Sequence, residues 1–485
     1  TGFGPISIDM YLPALPAIAR SLHGTAQGAQ LTVSAFFIGV SLGQLFYGPL
    51  SDRQGRRWPL LVGVLIYFGA TLGCMLATSM SMLIALRILQ ALGACAGMVV
   101  ARAVVRDRFA HDEVIHIFSL LMLVMGLGPI LAPLIGGWIL LIVDWRWIFG
   151  VQAAFSLIMA AAVFFALPES LSSEGRRHAR AEHPFTSYGA LLVHPKLVGY
   201  LLTGAFSGAA LFTYVSSSPD VIIGHFHISP QLFGWVFGVN AIGLVGATQI
   251  NARLARRYPS DVILGRANLV VFAVSVVLLI DAMTGFGGFL GVVIPLFGIM
   301  TGMGFNQGNA AAGALNVDPR RAGATSALLG ASSFAAGAGA SALAGIFRDG
   351  TARPMALVIV LSLVVAVVSL RTLVLLWIRL PATSRQPSTR TKKMSLNGRL
   401  TVTGGSIIMP MLVKTLATTR SMTRKGIKSR KPIWNPRFSS EIMKAGVTTC
   451  SGVSIAVFGL GTLERRMNRP RSSRSTWLSM KRFTG

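Results

Sequence analysis

Apolar residues do not alternate along this chain; they run in blocks separated by short polar connectors. A bilayer core about 30 Å thick takes about 20 apolar residues of helix. The blocks at 1–19, 31–50, 59–78, 82–102, 115–141, 146–167, 197–217, 232–252, 262–282, 287–310, 322–345 and 354–380 therefore predict twelve membrane-spanning helices. One connector, 168–196, is longer and polar, and carries Pro168, Pro184 and Pro195. It divides the chain into a six-helix bundle over 1–167 and a second over 197–380. The first residue is Thr1 rather than Met, so the first helix is expected to be cut short. No signal-peptide cleavage pattern follows it, and it is expected to stay in the mature protein.

Composition strengthens this reading. Of 485 residues, 53% are hydrophobic and 53 are glycine, while charged residues make up 12%. That charged share is about half the usual value, too little to solvate a soluble enzyme of this size. The formal net charge of +28 is mostly a property of one segment. Residues 381–485 hold 21 of the 44 lysines and arginines, against two acids, Glu441 and Glu464. This tail is expected to be disordered or a non-native, frameshifted end. Its charge implies contact with anionic lipid or RNA through electrostatics alone, and no specific nucleic-acid partner. Cys74 and Cys95 lie inside apolar blocks and read as small hydrophobes.

Loop charge sets orientation. Alternate connectors hold 16 Lys/Arg residues against 4 in the intervening set. By the positive-inside rule the richer set is cytoplasmic, which places both termini in the cytoplasm of a bacterial inner-membrane protein. A shift of 200 positions lays Arg53, Arg56, Arg57, Trp58 and Pro59 on Arg253, Arg256, Arg257, Tyr258 and Pro259. Both copies follow the second span of their half, so the halves form a parallel repeat about an axis along the membrane normal.

Several segments carry finer patterns. The loop Gly48-Pro-Leu-Ser-Asp52-Arg53-Gln-Gly55-Arg56-Arg57 resembles motif A of the major facilitator superfamily. Its glycines permit a tight turn, and Asp52 can accept from arginines or a helix N-terminus. Gly126-Leu-Gly128-Pro129-Ile-Leu-Ala-Pro133-Leu-Ile-Gly136-Gly137 resembles motif C, the signature of the proton-driven drug antiporters of that superfamily. Positions 126, 129, 133 and 137 share one stripe, where small residues admit a close neighbour and prolines permit a bend. Arg87-Ile-Leu-Gln90 is similar to motif B. Asp9-Met-Tyr11-Leu-Pro-Ala-Leu-Pro, with Arg102-Ala-Val-Val-Arg106-Asp107, looks like the Bcr/CflA drug-export branch.

Asp9 is the only acid deep in the first half, and Arg87 lies at a similar depth, so the two are expected to pair and couple protons. Burial favours a protonated acid and a nearby arginine a charged one, a competition that proton coupling can use. Pro13 also leaves the Asp9 carbonyl without its helical donor. Tyr11, Gln90, Asn240, Asn306 and Gln307 are candidates for a substrate cavity, although interhelical hydrogen bonding suits the asparagines equally. Gly48, Asp52, Arg53, Gly55, Arg56 and Arg57 are expected to set a conformational equilibrium.

The resemblance implies an all-α membrane protein of the major facilitator fold that is not an enzyme. It would export drugs or other small molecules by alternating access, as a monomer in the lipid bilayer. It would use no cofactor and no metal, and would be driven by the proton gradient. A metabolite symporter or facilitator, and a non-transporting sensor whose basic tail binds a partner, remain alternatives.

Overall fold

The computed structural model describes residues 2–109, 111–171 and 184–375, together with the backbone of 394–396 and 400–402. Among the described residues of the unit Thr1–Arg385, eleven helices are long and apolar enough to cross a membrane. They lie within α3 (Ala26–Gln54), α4 (Arg57–Met75), α5 (Met80–Arg108), α6 (His111–Ile142), α7 (Arg146–Ala166), α9 (Pro195–Pro219), α10 (Pro230–Leu254), α11 (Ser260–Thr284), α12 (Gly288–Leu315), α13 (Ala322–Ile346) and α14 (Arg353–Ser369), some with a short extension. A nine-residue helix, α8 (Pro184–Leu192), lies in the connector between the halves.

The first expected span is not one helix. It is α1 (Phe3–Ile8) and α2 (Leu15–Ser21), joined through a turn and a 3-10 segment, Leu12–Ala14. Pro13 and Pro16 have no N–H for the carbonyls four residues earlier, so a continuous ladder fails here.

Two other boundaries differ from the apolar blocks. α3 starts at Ala26, because the Thr25 hydroxyl accepts the Gly28 N–H at 3.0 Å and caps the helix ahead of its apolar run. α5 continues to Arg108, where Arg106 and Arg108 suit the negative end of the helix dipole.

The outside of this unit is apolar. Phe46, Leu65, Ile142, Phe165, Val270, Ile294 and Leu361 are exposed, while Arg87, Gln90, Gln152 and Asn306 are fully buried. Lipid rather than water is the solvent for such a surface. Exposed Trp58 and Tyr258, equivalent in the repeat, mark one end of the bundle; exposed Trp138, Trp147 and Trp235 mark the other. Amphipathic rings favour the headgroup level.

In the first half α5 packs between α3 and α4, and α7 packs on α4. In the second, α9 packs on α13 and α14, and α11 on α12 and α14. The halves meet along two seams, α3 with α13 and α6 with α10.

Residues Gln386–Gly485 form a separate unit. Its described residues are two antiparallel strands, β1 (Met394–Leu396) and β2 (Leu400–Val402). The expectation of a disordered or non-native tail otherwise lies outside the described residues. Truncation after Arg385 removes this unit and none of the eleven described spans. It is expected to leave membrane insertion and thermal stability within about 0.5 kcal/mol of the full chain, as measured by thermal unfolding in detergent.

Candidate functional site

The break in the first segment organises the site. In an unbroken helix the Ile6 and Ser7 carbonyls would accept from Met10 and Tyr11. Tyr11 N–H instead donates to Ile8 at 3.2 Å. Side chains from other helices take the freed acceptors. Arg87 Nη1 on α5 donates to the Ser7 carbonyl at 3.0 Å, and Gln152 Nε2 on α7 donates to the Ile6 carbonyl at 3.1 Å. A cation at the end of α1 also meets the negative end of its dipole.

A polar network backs these contacts. Arg87 Nη1 donates to Gln90 Oε1 at 2.7 Å, and Gln90 Nε2 donates to Thr71 Oγ1 at 2.8 Å and Gln152 Oε1 at 3.0 Å. The Tyr67 hydroxyl joins Ser7 Oγ at 2.7 Å and donates to Gln152 Oε1 at 3.4 Å. The Arg87 guanidinium is fully buried between the rings of Tyr11 and Phe36, 4.4 Å from each centroid. A desolvated cation–π contact is worth about 2 kcal/mol, which offsets part of the cost of burying this charge.

Asp9 is not part of that network. The expected Asp9–Arg87 ion pair does not form; among the described residues no hydrogen bond or ion pair engages the Asp9 carboxylate. Arg87 is instead turned to the backbone of the break, at the Ser7 carbonyl. Asp9 is buried and within electrostatic reach of Tyr214 on α9, whose hydroxyl accepts from Asn240 Nδ2 on α10 at 2.8 Å. Leu12–Ala14 also touches α9 and α10, so the break that carries Asp9 faces the second half.

The other cavity candidates divide. Tyr11 is fully buried, with its hydroxyl on Thr32 Oγ1 at 2.7 Å, and Gln90 is consumed by the network. Both are packing groups in this conformation. Asn306 Nδ2 donates to Asn268 Oδ1 at 3.2 Å, between α12 and α11, and nearby Asn309 donates to Asn251 on α10 at 2.8 Å. These bonds realise the interhelical alternative. Gln307 is half-buried.

The motif C stripe lies on the seam between halves. A Cβ at Gly136 would collide with the Met10 carbonyl, and one at Gly128 would come within 2.5 Å of Pro5. At Gly137 it would stand 3.0 Å from the Pro230 carbonyl of α10, and Gln231 Nε2 donates to the Gly137 carbonyl at 3.2 Å. Gly126 faces Val245. Pro129 and Pro133 lie within α6, and Pro133 is buried. α6 therefore touches both the broken segment and the second half through its small residues.

Motif A forms an ion-pair cluster at the arginine-rich end. Gly55 has φ +102, and a Cβ there would collide with the Glu169 carboxylate, so glycine is required twice over. Glu169 accepts the N–H groups of Arg56 at 2.8 Å and Arg57 at 3.3 Å, capping α4 from beyond α7. Arg56 is buried; its Nε donates to Asp107 at 2.8 Å and its Nη1 to Asp52 at 2.5 Å and Ser51 at 2.9 Å. Burial pulls the Arg56 pKa down, but the Asp107 and Asp52 carboxylates more than offset it and hold it above the ordinary arginine value. Arg57 Nη2 donates to the Phe164 carbonyl at 2.6 Å; Arg53 is half-buried, and Gly48 has open space at its Cβ position. These bonds join α3, α4 and α5 to the start of the connector.

The Asp52 side chain is 48% exposed and Asp107 15%. Asp107→Asn is therefore expected to cost about 2 kcal/mol of stability, and Asp52→Asn less than about 1, measured side by side by thermal unfolding.

Sequence reasoning missed Gln152, Tyr67 and Glu169 as functional groups. It also missed Gln30, which crosses between halves to Ser217 Oγ at 2.7 Å and the Ser341 carbonyl at 3.1 Å. An amide inside an apolar block was the available signal for Gln152, while Gln30 stands just ahead of the block 31–50.

The family model described as Major Facilitator Superfamily matches residues 2–220 and 201–472. The chain belongs to the major facilitator superfamily. It is a membrane transporter and not an enzyme. It is 35% identical over 364 residues to an uncharacterised MFS-type transporter, YdgK, of Bacillus subtilis, covering 75% of this chain and 90% of that protein. A bicyclomycin resistance protein homolog of Haemophilus influenzae is 32% identical over 356 residues, covering 72% and 88%. A chloramphenicol resistance protein of Pseudomonas aeruginosa is 31% identical over 331 residues, covering 67% and 76%. Among solved structures, the inward-open, partially occluded xylose transporter XylE of E. coli superposes with a TM-score of 0.60, covering 80% of this chain and 97% of that one. At 13% identity that likeness shows the fold alone.

Proposed function

We propose that this transporter exports small drug-like molecules in exchange for protons, by alternating access between its two halves. The observation that carries the reading is the placement of Asp9. It is a buried carboxylate without an ion-pair partner, on a broken segment between the halves. Such a group can take a proton from one side and lose it to the other as the segment moves. The fixed Arg87 charge holds the backbone of the break, so Asp9 is free to titrate while the break keeps its shape.

The drug class comes from the relatives, whose names include bicyclomycin and chloramphenicol resistance. Motif C supports antiport, since its glycines let α6 slide against both α10 and the Asp9 segment. The arginine-rich end is cytoplasmic in this reading, with both termini on that side of a bacterial inner membrane. No cofactor is needed beyond the proton gradient, and one chain suffices.

Everted membrane vesicles energised to an acidic interior test the reading. Adding a transported compound from a drug panel should release protons from the lumen as the compound accumulates. Accumulation without proton release would refute antiport, and proton uptake into the lumen with compound influx would do the same.

A further inference from the structure

Between α11 and α14, at the arginine-rich end, lies a cavity of about 460 Å³. Its walls include Val262, Leu269, Val367 and Leu370. Val262 and Leu269 are each 40% exposed on the lipid-facing side, so the cavity opens toward the bilayer rather than toward the seam between halves.

Two exposed arginines, Arg266 and Arg371, line it, and among the described residues neither has a hydrogen bond or an ion pair. Asp261, the one acid among the described lining residues, accepts from the Tyr200 hydroxyl at 2.5 Å. Asn268 also lines the cavity. It is 1% exposed, and among the described residues its amide nitrogen has no hydrogen-bond partner.

We propose that this groove binds the headgroup of an anionic phospholipid, with Arg266 and Arg371 on the phosphate and the Asn268 amide as a further donor. Guanidinium groups match phosphate oxygens in a forked geometry. The apolar walls suit the first methylenes of an acyl chain, a contact that free phosphate cannot use. A zwitterionic headgroup would bring its own ammonium against two guanidiniums, so the site selects against it.

The test is native mass spectrometry of the full chain released from nanodiscs of equal phosphatidylglycerol and phosphatidylcholine. Wild-type protein should retain phosphatidylglycerol preferentially. Arg266→Gln/Arg371→Gln should weaken that retention on the order of 30-fold, while Arg256→Gln/Arg257→Gln, at the same end but outside the groove, should leave it unchanged. Val367→Trp, which fills the groove and keeps both arginines, should also lose the lipid. No preference in wild-type protein would overturn the proposal, as would equal losses in the two arginine pairs. Displacement of the lipid by inorganic phosphate at equal concentration would show an anion site without a lipid role.

Discussion

Asp9→Asn is expected to abolish uphill transport while the protein inserts normally and exchanges substrate down its gradient. With one proton per substrate, a pH difference of two units supplies about 2.7 kcal/mol and supports roughly a hundredfold accumulation. An amide cannot cycle that proton, so accumulation should fall to unity. The fold should tolerate the change, because among the described residues no hydrogen bond or ion pair depends on the carboxylate. Arg87→Gln is a different lesion: it leaves the Ser7 carbonyl without its donor at the break. Steady-state accumulation in proteoliposomes under an imposed gradient decides the matter. Wild-type accumulation and pH dependence in Asp9→Asn would exclude Asp9 as the proton carrier.

Gly136→Val should carry the second large effect. A Cβ at that position collides with the Met10 carbonyl, and backbone cannot move aside as a flexible side chain can. Overpacking of this kind costs about 1–3 kcal/mol. The cost falls on the conformation in which α6 and the broken segment are in contact. The balance between conformations should therefore shift by roughly 5- to 150-fold away from it, with turnover falling accordingly. Spin labels on Val143→Cys and His227→Cys, at the same end of α6 and α10, would report the shift as a longer distance population. An unchanged distance distribution would mean that the contact persists through the cycle.

The spans were readable because a bilayer demands long apolar blocks, and the broken first segment was signalled by Pro13 and Pro16. Proximity was readable too: Arg87 reaches the Ser7 carbonyl, two residues from Asp9. Direction around the helix axis was not. Arg87 turned to a carbonyl that only the break sets free, so its partner depended on a backbone event outside its own helix. Gln152 looked like one polar residue in an apolar block, and its role became clear only when the Ile6 carbonyl was found beside it. Glu169 followed Pro168 and read as part of a polar connector, although it caps α4 from a distance of 112 positions in the chain.

The parallel repeat has a consequence for how such a molecule can arise. A half with an even number of crossings returns the chain to the side from which it started. Two copies can then be fused in tandem through a connector that never enters the membrane, and each copy keeps the orientation it had alone. Such a connector only has to join two points on one face. An odd number of crossings would force the second copy upside down or require an additional helix, so the broken first segment, counted as a crossing beside the five long helices that follow it, is what would let both halves keep one set of insertion signals.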